Sequence, residues 1–168
     1  MAYIIGQALG LLATACCVFT PFFKEKWQML VMSALANFLF AMNVLLLGEP
    51  GAAAVIGVLF LQALLSLWHV RKGIPVTKAE NIGFIVLYVV TGMLGFEKWY
   101  DLLPVLGACL SSLGTFQRNE QKTRFLILLN AVAYCSYYCI VGSTSMLAEL
   151  ITVIGNGTAM IKYRKKTK

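Results

Sequence analysis

The chain has 168 residues and a formal net charge of +7, with 60% hydrophobic and 12% charged residues. A soluble domain averages about 25% charged and under about 50% apolar residues. A chain of this size cannot hide the excess in a core, so a soluble globule is excluded and an all-α polytopic membrane protein is expected. Such a basic balance would suggest nucleic acid in a soluble protein, but its placement here is that of topogenic charge, and no nucleic-acid partner is expected.

A bilayer-spanning helix needs about 20 apolar residues. Seven segments qualify: residues 4–22, 27–47, 51–70, 81–96, 102–116, 124–141 and 145–163. The first has no basic region ahead of it, so Ala13-Thr14-Ala15, which mimics a cleavage box, belongs to a retained helix. The breaks are tight: Lys24-Glu25-Lys26, Gly48-Glu49-Pro50-Gly51 and Gly142-Ser143-Thr144. The longest runs over residues 71–80 and contains Gly73 and Pro75. Thirteen of the fourteen Lys and Arg residues fall on one side of this plan, and only Lys98 falls on the other. Basic loops stay in the cytoplasm. The expected orientation therefore has the N-terminus outside and the C-terminus in the cytoplasm.

Three segments precede the fourth and three follow it, and the two triplets resemble each other. With Gly48 set against Gly142, residues 51–72 lie over residues 145–166 without a gap. Ala8-Leu9-Gly10 then matches Val105-Leu106-Gly107, and Lys26 matches Lys122 with small gaps. Loop types follow the same order in both: a charged turn, a tight glycine-led turn, a basic exit. The expected organisation is a first triple-helix bundle at 1–72, a linker helix at 73–99 and a second bundle at 100–168. An odd span between two like units turns the second one over, so both sit the same way up. This 3+1+3 plan with parallel repeats is a transporter design whose sites lie near the midplane. The fourth segment carries no evident chemistry, with Thr91 its one mid-to-late polar residue, and is expected to pack outside a bundle.

Polar residues within spans are costly unless they face the bundle interior or water, so they are the site candidates. The repeat sets Gln62 of the third segment opposite Asn156 of the seventh, and two amides at equal depth could form both walls of one site. Amides offer donors and acceptors without charge, which suits a neutral solute; the bland alternative is interhelical glue. The same alignment pairs Asn43 with Tyr137, while Asn37 and Asn130 lie deeper. Asn130, Tyr134 and Tyr137 follow i, i+4, i+7 spacing and share a face, as a substrate stripe or an aromatic core stripe. Glu149 is the one acid clearly within a span, placed to bind a proton, a cation or a basic solute, or to reach the interface. Glu80 and Asp101 stand at helix starts, where an acid favours the positive helix end. Gly6, Gly10, Gly92 and Gly95 read as packing residues. Pro21 is a candidate gate hinge.

Enzyme signals are thin in the pattern. The single histidine, His69, stands at a span end, no phosphate loop occurs, and neither Ser33 nor Ser111-Ser112 has a base nearby. The five cysteines are odd in number and lie within apolar segments, so no disulfide is expected. Cys135 and Cys139, one turn apart, lack a third ligand, and neither metal nor cofactor is expected.

The stretch Leu102-Leu103-Pro104-Val105-Leu106-Gly107, the turn Gly48-Glu49-Pro50-Gly51 and the ending Asn156-Gly157 with Ile161-Lys162-Tyr163-Arg164 resemble the YgjV family of bacterial inner-membrane proteins. That family is similar in plan to the SWEET and SemiSWEET sugar transporters and other PQ-loop proteins. The resemblance implies an inner-membrane location and two triple-helix bundles around a linker helix. It also implies that Asn156 and Gln62 stand where that plan keeps paired pocket asparagines. This sequence departs from the plan in lacking a Pro-Gln motif in the first segment and a counterpart to Pro21 in the fifth. The expected function is a non-enzymatic, facilitative transporter of a small neutral polar solute, sugar-like or another metabolite, working by alternating access in the bilayer. The alternative is a receptor or assembly protein that docks a partner through its basic cytoplasmic face, and the sequence leaves room for a homo-oligomer.

Overall fold

The computed structural model describes residues 1–19, 23, 25–116 and 120–163. Pro21, the expected hinge, lies outside the described residues. Seven α-helices follow one another: α1 (Ala2–Phe19), α2 (Lys26–Leu46), α3 (Pro50–Lys72), α4 (Lys78–Leu94), α5 (Leu102–Phe116), α6 (Glu120–Val141) and α7 (Met146–Tyr163). A short 3-10 turn, Trp99–Asp101, leads into α5. Among the described residues, four helices are long and apolar enough to cross a membrane: α1, α2 from Trp27, α3, and α6 from Lys122. The 15 residues of α5 span about 22 Å at 1.5 Å each, and the 17 of α4 about 26 Å, against a hydrocarbon core of about 30 Å.

The helix ends follow from local chemistry. Gly48, Gly73 and Gly142 have φ of 87°, 69° and 70°, the left-handed region that only glycine enters without strain. Each terminates a helix in the same way. The residue after the glycine donates to a carbonyl five residues back: Glu49 to Val44 at 3.0 Å, Ile74 to His69 at 3.0 Å, Ser143 to Tyr138 at 2.9 Å. The turns led by Gly48 and Gly142, equated in the repeat alignment, thus share one geometry. Thr77 and Glu80 start α4 with a reciprocal capping box. Asp101 acts backwards rather than on its own helix, accepting from the backbone N–H groups of Glu97 (2.9 Å) and Lys98 (2.7 Å).

Packing inverts the order of a soluble protein. Nine of the twenty buried apolar residues are alanines, while Met93 is 74% and Leu94 84% exposed. Large aliphatics point outward and small residues lie at the helix contacts, as expected where the surroundings are as apolar as leucine. The packing glycines sit at such contacts. An ideal Cβ on Gly10 would lie 2.6 Å from Thr144 Oγ1, and the backbones of Gly51 and Gly95 touch directly, joining the start of α3 to the end of α4.

The helices close into a ring. α1 packs on α2, α2 on α3, α3 on α5, α5 on α6, α6 on α7, and α7 on α1. α4 packs against α3 and α5, outside this ring. Exchanging α1 for α5, α2 for α6 and α3 for α7 maps each ring contact onto another ring contact. The α3/α5 seam is covered by α4. Its counterpart, the α7/α1 seam, holds an open groove.

Candidate functional site

Inside the ring lies a cavity of about 160 Å³. α2 contributes Ser33, Asn37 and Phe40; α3, Ile56 and Leu59; α5, Ser111; α6, Asn130, Tyr134 and Tyr138; and α7, Glu149. Both triplets therefore wall it, and among the described residues neither α1 nor α4 contributes to the lining. The lining has an aromatic side and a polar side. Tyr134 and Tyr138 stack with centroids 5.9 Å apart, and Phe40 lies 6.0 Å from Tyr138. Asn130 Oδ1 and the Tyr134 hydroxyl are buried without a hydrogen-bond partner. Gly107 lets the α6 stripe approach α5, since a Cβ there would lie 2.5 Å from Tyr134 Cε2 and 3.1 Å from Asn130 Oδ1. Glu149 is in the first turn of α7 and has no hydrogen bond or ion pair among the described residues.

Two polar networks close the end of the ring that carries the Gly48 and Gly142 turns. In the first, Asn43 is fully buried. Its Nδ2 donates to the Gly6 carbonyl at 2.7 Å, and its Oδ1 accepts from Ser143 Oγ at 2.6 Å and Ser145 Oγ at 2.9 Å. Beside it, Gln7 Nε2 donates to the Gly142 carbonyl at 2.7 Å, and Gln7 Oε1 accepts from the Thr144 backbone N–H at 2.8 Å. Together they fasten α1 and α2 to the α6–α7 turn. In the second network, Glu49 accepts from Lys98 Nζ at 3.1 Å and from the Tyr100 hydroxyl at 3.3 Å. Tyr100, and then the Glu49 carboxylate, raise the Lys98 ammonium above the usual lysine range. Tyr137 lies under this cluster, fully buried, 6.2 Å from the Tyr100 ring and with its hydroxyl unpartnered.

A third network fills the α3/α5 seam. Gln62 Nε2 donates to Asn81 Oδ1 and to Ser112 Oγ, both at 3.1 Å, and Tyr88 donates its hydroxyl to Gln62 Oε1. Asn81 Nδ2 donates to the Ser112 carbonyl at 3.1 Å. At the basic end of the same region, His69 Nε2 lies 3.1 Å from Glu80 Oε1. The α7/α1 groove, about 480 Å³, is lined by Cys17 and Val18 on one side and by Ala148, Ile151, Thr152, Gly155 and Asn156 on the other. Asn156 Nδ2 donates to the Thr152 carbonyl of its own helix at 3.1 Å.

The eight expected binding residues thus separate. Asn37, Asn130, Tyr134 and Glu149 share the central cavity. Asn43 and Tyr137 lie beyond it, in the networks that close one end. The structure does not bring Gln62 and Asn156 to one cavity. Gln62 is bound to α4 and α5 in one seam, and Asn156 faces the groove in the other. Each stands fourteen residues after its loop glycine, Gly48 or Gly142. Tyr88 and Thr91 line neither cavity nor groove. Thr91 donates to the Leu87 carbonyl at 2.7 Å, and Tyr88 is buried on Gln62.

Sequence reasoning missed Tyr138, Ser33 and Gln7. For Tyr138 a signal existed: it stands four residues after Tyr134, as Tyr134 stands four after Asn130, so the three form one i±4 row along α6. Ser33 and Asn37 are likewise four apart. Gln7 stands polar within an apolar helix, which by itself marks an inward-facing position.

A ring of helices with large aliphatics outside, a small-residue interior and a polar cavity on its axis defines a helical membrane protein. A family model, Imp-YgjV, described as bacterial inner membrane protein, matches residues 4–167. The chain therefore belongs to the Imp-YgjV family of bacterial inner membrane proteins. No curated protein and no solved structure matches it.

Proposed function

We propose that the chain is a transporter that carries a small polar solute through the bilayer by alternating access, without ion-driven machinery of its own. The observation that carries this reading is the cavity whose walls come from both triplets. A three-helix unit cannot enclose a pathway, and two that face each other can. The ring's exchange symmetry supports a 3+1+3 plan of seven spans, similar to that of SWEET proteins, with α4 as the linker that keeps the two halves parallel. Arg71 and Lys72 at the end of α3 and Lys122 and Arg124 near the start of α6 support a cytoplasmic location for that side. The Gly48 and Gly142 turns then face outward, where the Asn43 and Glu49 networks close the path. The cavity volume corresponds to about five waters at about 30 Å³ each, which suits a solute of a few heavy atoms.

Sealed proteoliposomes loaded with a panel of neutral and charged metabolites test the reading. Saturable flux of at least one solute, reduced by Asn130→Ala and Asn37→Ala, is the expected result. No flux across the panel, together with a partner that co-purifies through the basic face, would replace transport by a receptor or assembly role.

A further inference from the structure

We infer that the cavity takes a small organic cation, a protonated amine, with Glu149 as its counter-charge; this rests on the reading of the cavity as a solute site. Three features converge. Glu149 lines the cavity and has no partner among the described residues, and none of the described lining residues is a lysine, arginine or histidine. A carboxylate in a low-dielectric interior requires a compensating positive charge or a proton. The remaining unfilled positions favour a donor-rich guest. Asn130 Oδ1 can only accept, and the buried Tyr134 hydroxyl also lacks a partner. An ammonium offers three donors and no acceptor, so one group can meet both the acid and the amide. A sugar-like hydroxyl could satisfy Asn130 but leaves Glu149 uncompensated. The lining is also aromatic: Phe40, Tyr134 and Tyr138 lie in one packed series, and such rings attract a desolvated cation. The amides that suggested a neutral solute, Gln62 and Asn156, lie outside this cavity.

The test uses the full-length chain in detergent at neutral pH and two probes with equal numbers of heavy atoms. Ethanolamine is protonated there, and ethylene glycol is its neutral counterpart. Thermal unfolding is followed against probe concentration, which yields an apparent Kd from the ligand-dependent rise in Tm. Ethanolamine is expected to raise Tm saturably, and ethylene glycol to leave it unchanged over the same range. Glu149→Gln, which keeps the side-chain shape, is expected to weaken ethanolamine by about a hundredfold, in line with loss of one partner of a buried charged pair. Should Glu149→Gln fail to fold, Glu149→Asp is expected to fold and to weaken ethanolamine by about tenfold, having drawn the carboxylate back from the guest. Equal responses to the two probes, or an ethanolamine response unchanged in the Glu149 variants, would overturn the cation and leave a cavity whose acid carries a proton. Flux of a neutral metabolite that is insensitive to Glu149→Gln would overturn it too, while leaving transport itself intact. Failure of transport itself would show separately, as no flux for any member of the panel.

Discussion

Asn43 is the residue on which closure of the glycine-turn end depends most. Its side chain is fully buried and holds three hydrogen bonds: to the Gly6 carbonyl of α1 at 2.7 Å, and from the Ser143 and Ser145 hydroxyls at 2.6 and 2.9 Å. In soluble proteins each such bond contributes about 1 kcal/mol net, and within membrane bundles the mean is closer to about 0.6 kcal/mol. Three bonds lost together, with a small cavity left behind, give about 2–3 kcal/mol for Asn43→Ala. Reversible unfolding in mixed micelles, followed by circular dichroism, measures it. Ser136→Ala is the control, since that exposed hydroxyl bonds only the Val132 carbonyl of its own helix, and a change within about 0.5 kcal/mol is expected there. A double-mutant cycle with Ser145→Ala should return a coupling of about 0.6 kcal/mol. A cost for Asn43→Ala no larger than the control, or strict additivity with Ser145→Ala, would refute the reasoning. Either result would mean that Asn43 does not fasten this end, and that the Gln7 bonds to Gly142 and Thr144, with packing, hold α1 to the α6–α7 turn.

Gln62→Leu removes the bonds to Asn81, Ser112 and Tyr88 together, and should cost about 2 kcal/mol in the same assay while leaving binding in the central cavity unchanged. Gly10→Val places its Cβ 2.6 Å from Thr144 Oγ1, and the overpacking should cost about 1–3 kcal/mol, more than the same change at Gly155, where a Cβ meets nothing within 4 Å. Glu80, ahead of the apolar stretch that begins at Asn81, has its carboxyl held below the ordinary value of 4.5 by the Thr77 backbone N–H, then by the Thr77 hydroxyl, with His69 adding to both. A depressed folded-state value means stabilisation fully present above pH 4.5 and lost as pH falls through the folded value. Tm measured from pH 7 down to about 3 should therefore fall more steeply in wild type than in Glu80→Gln, and parallel curves would show that the cap does not act through charge.

Much of the architecture was legible because helices in lipid must satisfy their own backbones, so length and hydropathy alone mark them. The helix ends at Gly48 and Gly142 were legible too, since a left-handed helix terminus calls for glycine and the following donor closes the turn. The site was legible only in part, because depth and facing are separate quantities. Sequence gives depth: Gln62 and Asn156 do lie at matching positions along α3 and α7. Facing depends on how each helix is rotated about its axis, which packing partners decide. Gln62 is turned by Asn81 and Ser112 towards α4, and Asn156 towards the α1 groove. Glu149 and Asn130 were found because a lone acid and a polar stripe have few tolerable surroundings. Asn43 was found for the same reason, yet its use is structural. A buried amide with three good partners and one with a free oxygen look alike in sequence.

The single α4 explains why matching residues came to differ. Under the proposed repeat the α3/α5 and α7/α1 seams are equivalent, but one odd helix can cover only one of them. Where α4 lies, Gln62 finds Asn81 and Tyr88 as partners and becomes part of the packing. Where no α4 exists, Asn156 turns its amide back onto the Thr152 carbonyl and the seam stays open as a groove. The same asymmetry extends to charge. At the α3 position matching Glu149 stands Val55, packed into the cluster with Tyr88 and Ala108 that α4 completes. An acid there would be driven into an apolar interface with no access to the cavity. On α7 no such cover forms, and an acid can reach the axis beside Tyr134 and Tyr138. One charged position in an otherwise paired framework is what a site needs in order to grip one end of an unsymmetrical guest, and it follows from an odd number of helices.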